Sequence, residues 1–547
     1  MLTVLLLACA TDTGSPDPDS GGGDTADTAD SGGETGDTAT AFYSDDTIQD
    51  IEKAVKADMR GHYASGAQIA VWHGGALVYV QSFGTKDPDD ETALVDDATL
   101  FQIGSDTKKM TAIAALQQVE AGKLSLEDSV ADVVPAVDLV ESPTWSEEAT
   151  LRLLLSHQGG LVDYTPWEED NDDARLAEIA TTTFSENAWA MAQPGACWNY
   201  ANPNFSIAGL LTETAAEKPW ADVVEDDVFT PLGLADTYAR RDEVKARGNY
   251  AIGTGYTIVD PDPFDAWDTP KYTVGTVGID DTVDNAFTRP AGMVWSTASD
   301  MASFGAFFIH GDPSVLSDSL RGEITTGQVR TYPAWDAQTY GMGWFLSDWI
   351  STYDGVYATP FWSHGGNTLT MTSLTWVFPE KDLSISILSN GYGDDFTNTA
   401  LALVSGSGLL TDPVDAPDVP DEETDHAQLL GDYWDHEIGT VSITDVDGAL
   451  TVSAPGLDAL GASYDPVLEP AGITDVYLFT LEGAGYDVTF IPDDAGAYRW
   501  LRNRQFVGER VDVNAIAPAH ADPTAFWTRL LLSAVEPDRT ARPYTTR

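Results

Sequence analysis

Basic side chains are scarce in this sequence. Its 547 residues include 27 Lys and Arg against 88 Asp and Glu, which gives a formal net charge of -61 at pH 7. Nucleic acids and anionic membrane surfaces are bound through patches of Lys and Arg. The charge balance therefore argues against nucleic acid as a partner and indicates a highly solvated acidic surface.

Cysteine is scarcer still, with one residue at position 9 and one at position 197. Cys9 follows the apolar run MLTVLLLA, which is too short to span a bilayer but typical of the core of a signal peptide. The tetrapeptide Leu-Leu-Ala-Cys that ends at Cys9 resembles the lipobox of bacterial lipoproteins. We therefore expect residues 1–9 to be a signal peptide and Cys9 to be lipidated.

The lipobox resemblance implies an exported protein, anchored to the outer membrane of a Gram-negative bacterium and facing the periplasm or the cell surface. Membrane contact is expected only through the lipid. The apolar run has no basic residue before it, which leaves two alternatives, a start codon further upstream or a chance match. If Cys9 is lipidated, Cys197 has no partner and a structural disulfide is excluded.

Changes in composition divide the chain into segments. Residues 10–41 are rich in Asp, Thr, Gly and Ser and contain no aromatic side chain, which predicts a disordered acidic linker. Residues 42–410 have the apolar content of a large globular domain. A second acidic linker, which contains proline, is predicted at 411–425, and a small C-terminal β domain at 426–547.

Strand patterns occur at both ends of the large domain, and helical patterns lie between them. Two apolar runs surround Gly74-Gly75 and predict a hairpin, and a second hairpin is predicted around 379–381. The run from Met110 to Val119 has the spacing of a buried helix. We therefore expect an α+β domain whose terminal segments join one antiparallel sheet.

Short β segments fill most of residues 426–511. Asp447-Gly448 is a typical two-residue hairpin turn between two of them. This pattern predicts a small antiparallel β-barrel or sandwich.

Two adjacent lysines follow a serine in FQIGSDTKKMTA, at the predicted start of a helix. A serine hydroxyl is a poor nucleophile that needs a base within hydrogen-bond reach. Residues i and i+3 share a helix face, so Ser105 and Lys108 can meet while Lys109 points elsewhere. Burial against the apolar helix would allow the lysine to act as a base. Alone, Ser-x-x-Lys is a common chance pattern, and a capped helix with solvated lysines is the alternative.

Two further motifs follow in order, Tyr-Ala-Asn at 200–202 and His-Gly-Gly at 364–366. With Ser-Asp-Thr-Lys at 105–108 they resemble the three motifs of the serine β-lactamase and penicillin-binding-protein superfamily. The surroundings are similar to the family as well: LLLSHQGGL at 153–161, PAGMVWSTASDMASF at 290–304 and YGMGWF at 340–345. The resemblance implies a β-lactamase/transpeptidase-like fold, with an antiparallel sheet flanked by helices and a helical subdomain.

The resemblance also implies roles for single residues. Ser105 matches the nucleophile that forms the acyl-enzyme, and Lys108 the general base or proton shuttle beside it. Tyr200 matches the phenol that moves the serine proton to the leaving group and later helps to activate water. Asn202 resembles the amide that holds the substrate and Lys108.

The expected oxyanion hole consists of main-chain N–H groups of Ser105 and Asn367, and Gly366 would let a substrate backbone come close. His157 is expected to be structural and to hold a loop near the site. The implied mechanism needs neither a metal nor a cofactor. The remaining histidines stand singly, without the spacing of metal ligands.

The third motif departs from the pattern of many β-lactamases. His364 stands where they have Lys, and Gly365 where they have Thr or Ser. Histidine would bind a substrate carboxylate more weakly and in a pH-dependent way, and Gly365 removes a hydroxyl that would bind the same group. This departure favours ester or peptide hydrolysis over β-lactam hydrolysis, and Tyr-x-Asn favours the class C-like branch.

We therefore expect a serine hydrolase that acts through an acyl-enzyme on carboxylic esters or D-amino-acid-containing peptides, the partner being a small-molecule or peptide substrate. One alternative is a class C-like β-lactamase. The alternative outside enzymes is a surface binding protein that kept the pocket and lost turnover.

Overall fold

Two domains are present in a computed structural model that describes residues 42–61, 63–166, 172–258, 272–282, 284–368, 370–392, 396–436, 438–459, 461–481, 483–504 and 506–511. The signal peptide, Cys9 and the acidic linker predicted from the sequence lie outside these residues and stay predictions. The same holds for the last part of the predicted C-terminal domain, from residue 512 onward.

Most strands of the first domain lie near its two ends, and most of its helices lie between these two groups. The strands are β1 (Gly66–His73), β2 (Ala76–Gly84), β3 (Phe101–Gln102), β4 (Gly253–Ile258), β5 (Tyr272–Val277), β6 (Trp295–Ser296), β7 (Val329–Tyr332), β8 (Trp335–Tyr340), β9 (Phe345–Thr352), β10 (Gly355–Asn367), β11 (Thr372–Phe378) and β12 (Leu383–Ser389). The hairpins predicted from the sequence are therefore present, as β1-β2 and β11-β12.

Helices fill the middle of the domain and flank the sheet. They are α1 (Asp45–Gly61), α2 (Lys108–Glu120), α3 (Val130–Val133), α4 (Trp145–Glu148), α5 (Leu151–Leu155), α6 (Leu176–Ile179), α7 (Ser185–Asn187), α8 (Asn202–Ala216), α9 (Trp220–Val224), α10 (Thr230–Leu232), α11 (Arg241–Arg247), α12 (Arg289–Gly292), α13 (Ala298–His310), α14 (Asp318–Ile324) and α15 (Thr397–Gly406). Among the described residues, no helix is both long enough and apolar enough to cross a bilayer.

The large sheet joins strands from both ends of the domain. Its order is β2-β1-β12-β11-β10-β9-β8-β7, and each neighbouring pair is antiparallel. In the pair that joins the two ends of the domain, Ile69 of β1 lies opposite Ile387 of β12. The prediction that the terminal segments share one antiparallel sheet is confirmed, and with it the α+β fold class.

Helices cover both faces of the centre of this sheet. Ile69 and Val71 pack in one apolar core with residues of α1 and α15, whereas Ala70 between them belongs to the core on the opposite face, which includes α13. This alternation follows from the two-residue period of a strand. Since both faces are covered, every residue of β11 and β12 is buried.

The second domain is an eight-stranded antiparallel sheet that nearly closes into a barrel, with two short helices. Its elements are α16 (His426–Leu429), β13 (Gly431–Asp435), β14 (Gly439–Val446), β15 (Ala449–Ser453), α17 (Pro455–Ala459), β16 (Glu469–Ile473), β17 (Val476–Leu481), β18 (Ala484–Pro492), β19 (Tyr498–Asn503) and β20 (Phe506–Val511). The strand order is β15-β14-β13-β20-β19-β18-β17-β16.

The two ends of this sheet meet just before β16. Leu468 N–H donates to the main-chain oxygen of Leu450 in β15, at 3.0 Å. Apolar side chains fill the interior, among them Tyr433, Phe490 and Leu501. The structure therefore confirms the antiparallel β domain predicted from the sequence and shows it to be a nearly closed barrel.

The segment that carries Ser105 is a 3-10 turn, Gly104–Thr107, which leads directly into α2 at Lys108. Asp106 in the turn and Lys109 in the first turn of α2 form a salt bridge with no solvent exposure. The two lysines of the motif therefore have different environments, and the interpretation of both as solvated surface residues is wrong.

The buried salt bridge attaches the start of α2 to the large sheet. Asp106 Oδ2 accepts O–H bonds from Ser373 (2.8 Å) and Thr375 (3.0 Å), both in β11. Lys109 Nζ lies 4.2 Å from the centroid of the Trp344 ring. Burial lowers the pKa of Lys109, and Asp106 opposes that shift.

Gly209 determines how closely α8 approaches α12. A Cβ atom at position 209 would lie 2.4 Å from Cγ of Pro290. Because a proline ring cannot rotate away, Gly209→Ala should lower the free energy of unfolding by about 1–3 kcal/mol in urea denaturation. Gly322→Ala in α14 is the matched control, since a Cβ there meets nothing within 4 Å. Equal effects of the two substitutions would contradict this packing.

The Asp106–Lys109 pair should be far more sensitive to substitution than an exposed pair of the same spacing. Lys109→Met leaves Asp106 buried without its counter-ion, and we expect it to lower the free energy of unfolding by about 3–5 kcal/mol. The control is Lys53→Met in α1, whose i,i+3 partner Asp50 is exposed. It should leave the free energy of unfolding nearly unchanged, because water screens this pair. Similar midpoints of chemical denaturation for both variants would refute the anchoring role.

Candidate active site

Ser105 lies where β3 passes through the 3-10 turn into α2, close to the end of β10. Gly104 has a φ of 52°, and a Cβ on it would lie 2.6 Å from the main-chain nitrogen of Asn367. Only glycine therefore lets the turn approach β10 so closely. The turn leaves Ser105 7% exposed, at the edge of the buried region.

The Lys108 side chain is fully buried beside Ser105. Its Nζ atom donates to Ser105 Oγ (2.8 Å), to Asn202 Oδ1 (2.7 Å) and to the main-chain oxygen of Ala291 (2.7 Å). Residues three apart lie above one another in a 3-10 turn, which explains why Ser105 and Lys108 meet. The base and the serine predicted from the sequence are thus in direct contact.

Tyr200 approaches Ser105 from the loop before α8. Its hydroxyl donates to Ser105 Oγ at 2.7 Å, and Lys108 Nζ lies 4.9 Å from the centroid of its ring. One serine oxygen is therefore within hydrogen-bond distance of an amine and a phenol, both of which can exchange protons. The structure brings the predicted residues Ser105, Lys108 and Tyr200 together.

Asn202, the first residue of α8, connects Lys108 to a carboxylate that the sequence did not single out. While its side-chain oxygen accepts from Lys108, its main-chain N–H donates to Asp163 Oδ1 at 2.7 Å. Asp163 Oδ2 in turn accepts from Arg504 of the barrel at 2.7 Å. Both Asp163 and Arg504 lie outside the motifs and were missed.

His157 supports the loop that carries Tyr200. Its Nδ1 accepts the main-chain N–H of Ala201 at 3.3 Å, and its ring centroid lies 4.1 Å from that of Tyr200. Burial, together with the charge of Lys108, holds the pKa of His157 well below its ordinary value. The neutral ring agrees with the structural role expected from the sequence.

His364 in β10 lies behind the catalytic residues and is almost fully buried. Its Nδ1 lies 2.6 Å from the main-chain oxygen of Gly365, and its Nε2 lies 3.2 Å from the Tyr340 hydroxyl, which donates to it. Burial, followed by the charges of Lys109 and Lys108, holds the pKa of His364 well below its ordinary value. Burial therefore disfavours the charged ring, and with it the pH-dependent carboxylate contact expected from the sequence.

Gly366 is required by the packing of the protein itself. A Cβ at position 366 would lie 1.9 Å from the main-chain oxygen of Ile103, so the glycine accommodates the backbone of the protein itself. Asn367 follows it at the end of β10, paired with Thr372 and adjacent to Gly104. The structure thus brings the predicted oxyanion donor next to the residue that precedes Ser105.

Comparison with protein families gives one match that covers most of the chain. The model named Beta-lactamase matches residues 51–406. Penicillin-binding protein 4 of Amycolatopsis lactamdurans is 28% identical over 387 residues, which are 68% of this chain and 93% of the relative. Penicillin-binding protein 4* of Bacillus subtilis is 25% identical over 370 residues, 66% of this chain and 75% of that relative.

Solved structures show the same fold at lower identity. SurE has a TM-score of 0.58 at 20% identity and covers 85% of this chain and 99% of its own. A class C β-lactamase has a TM-score of 0.51 at 17% identity and covers 66% of this chain and 96% of its own. Together with the arrangement around Ser105, the family match shows that the chain belongs to the Beta-lactamase family and has the site of a serine hydrolase.

Proposed function

We propose that the protein hydrolyses carboxylic esters or D-amino-acid-containing peptides through an acyl-enzyme on Ser105. The observation that carries this proposal is the pair of contacts at Ser105 Oγ, 2.8 Å to Lys108 Nζ and 2.7 Å to the Tyr200 hydroxyl. A serine held between an amine and a phenol has both the base that removes its proton and the acid that protonates a leaving group.

The acylation step uses the contacts of Lys108 directly. A neutral Lys108 amine takes the Ser105 proton while its other two N–H groups stay on Asn202 and Ala291, so the amine keeps its position. Ser105 Oγ then bonds to the substrate carbonyl carbon, and the carbonyl oxygen gains negative charge. Main-chain N–H groups of Ser105 and Asn367 stabilise that charge.

Tyr200 completes the cycle. Its hydroxyl passes a proton to the alcohol or amine that leaves, and the bond between the carbonyl carbon and the leaving group breaks. In deacylation the Tyr200 phenolate takes a proton from a water molecule, whose oxygen bonds to the acyl carbon. Lys108 returns its proton to Ser105 Oγ as the bond between that oxygen and the acyl carbon breaks.

The residues of the third motif favour substrates that have no carboxylate next to the reacting carbonyl. His364 is neutral, and position 365 has no hydroxyl, so this part of β10 offers no fixed positive charge. Arg504 is already paired with the buried Asp163. Esters and uncharged peptide ends suit such a site better than β-lactams, whose carboxylate needs a cation.

The names of the relatives support the same acyl groups. Two relatives are called penicillin-binding proteins, and SurE was determined with D-Leu. A D-amino-acid ester is therefore a suitable probe beside a simple short-chain ester.

Ser105→Ala should abolish turnover of a chromogenic short-chain ester and of a D-alanine ester, while the melting temperature stays within about 3 °C because only one oxygen is removed. The control is Ser303→Ala in α13, where the hydroxyl donates to the main-chain oxygen of Ser299 in the same helix, at 2.8 Å.

The same assay separates the alternatives. Efficient cephalosporin turnover with poor ester turnover would favour a class C-like β-lactamase. Ester turnover that survives in Ser105→Ala would remove the nucleophile assignment, and no turnover of any probe by the unaltered chain would favour the inactive binding protein.

The ionisation of His364 makes a separate prediction about substrate charge. The ratio of kcat/KM for a neutral butyrate ester and for an anionic hemisuccinate ester should stay nearly constant between about pH 5.5 and 8, because burial holds the pKa of His364 well below its ordinary value and so disfavours the charged ring. A relative gain of about fivefold or more for the anionic ester as the pH falls would show that the imidazole becomes charged.

A further inference from the structure

The hairpin between β19 and β20 of the barrel lies against the segment that carries Tyr200. Arg502 Nη1 donates to the main-chain oxygen of Trp198 at 2.8 Å, and its guanidinium carbon lies 5.2 Å from the centroid of the Trp198 ring. The side-chain amide of Asn199 donates to the main-chain oxygen of Arg504 at 3.2 Å. The second domain therefore contacts both residues that precede the tyrosine.

Arg504 contacts a carboxylate of the active site itself. Its Nη2 and Nε atoms donate to Asp163 Oδ2 at 2.7 and 3.2 Å. The two side chains are only 14% and 7% exposed. Since Asp163 Oδ1 accepts the main-chain N–H of Asn202, one carboxylate joins the barrel to the residue that binds Lys108.

Arg504 also lies on the face of the Tyr200 ring. Its guanidinium carbon is 4.6 Å from the ring centroid, and Lys108 Nζ is 4.9 Å from the same point. Positive charge beside a phenol stabilises the negative charge that develops on its oxygen when a proton leaves. Titratable groups near this ring include His157 and His364, Asp163 through the start of α8, and Tyr340, which packs in the same cluster as Tyr200.

The Asp163–Arg504 ion pair is not needed merely to attach the barrel to the first domain. A buried ion pair between two surfaces roughly breaks even against apolar groups of the same shape, because both ions lose their hydration. The Asp163–Arg504 pair is nevertheless positioned at the two residues, Tyr200 and Asn202, that contact Ser105 and Lys108. Its location therefore indicates a role in the chemistry.

We propose that Arg504 is a positioning residue of the active site, through which the C-terminal barrel completes the catalytic centre. Through Asp163 it fixes the start of α8 and hence Asn202, and through the ring face it fixes Tyr200. The proposal rests on the proposed function, since it assigns proton transfer to Tyr200. It also predicts that the first domain depends on the second for turnover.

The test compares full-length Arg504→Met and Arg504→Lys with Arg499→Met. The control is closely matched, because Arg499 lies in β19, the strand that leads to Arg504. It also pairs with a carboxylate (Glu509) and lies over an aromatic ring, 4.9 Å from the Trp500 centroid, but it is exposed. The short-chain ester is used as the probe, and kcat and KM are measured from pH 5 to 10. Hydrogen exchange of the peptide 197–204 is measured on the same samples.

Arg504→Met should lower kcat by about tenfold or more with KM within about threefold, because geometry and charge at the reacting atoms are affected rather than binding. The rising limb of its kcat/KM profile should move to higher pH, since loss of a cation makes proton removal harder. Arg504→Lys keeps the charge and should keep the limb near that of the unaltered chain while kcat recovers only in part.

A loss of rate without movement of the pH limb, or an equal loss in Arg499→Met, would overturn the proposal and reduce Arg504 to a docking contact. Unaltered kinetics in Arg504→Met would overturn it as well. If the unaltered chain does not turn over the ester, the proposed function fails instead. Hydrogen exchange then decides the positioning: faster exchange at 197–204 in Arg504→Met supports it, and unchanged exchange overturns it.

Discussion

The Nζ atom of Lys108 has no solvent exposure, so its N–H groups need acceptors within the protein, and the active site is built around that constraint. The three acceptors of Lys108 come from separate parts of the chain: Ser105 from the turn before α2, Asn202 from the start of α8 and Ala291 from α12. The catalytic residues therefore come together only when the helices of this region pack correctly.

The two adjacent lysines show how one local sequence supports two tasks. Lys109 is paired with a carboxylate, Asp106, which β11 holds with two hydroxyl groups, so its charge serves to anchor the turn. Lys108 donates to a hydroxyl, an amide and a carbonyl, and the first of these holds its amine directly against Ser105. The difference explains why the lysine at i+3 from Ser105, and not its neighbour, suits the role of base.

Much of this architecture was predictable because it is encoded locally. The β1-β2 and β11-β12 hairpins follow from turn residues between apolar runs, and Ser105, Lys108, Tyr200 and Asn202 follow from short motifs in a fixed order. The ionisation of His364 was not predictable, since it depends on burial and on Lys109 and Lys108, which reach it only in the folded state. Asp163 and Arg504 are 341 residues apart, and no local pattern indicates that they meet.

The central claim is that burial and two proton-exchanging neighbours make Ser105 an activated nucleophile. The most direct measurement is reaction of the full chain with a fluorophosphonate probe, followed by peptide mapping of the modified residue by mass spectrometry. The account predicts a single phosphonylated residue, Ser105, and labelling that slows by orders of magnitude in Lys108→Met, because the base is lost. Labelling at another serine, or at Ser105 with an unchanged rate in that variant, would contradict it.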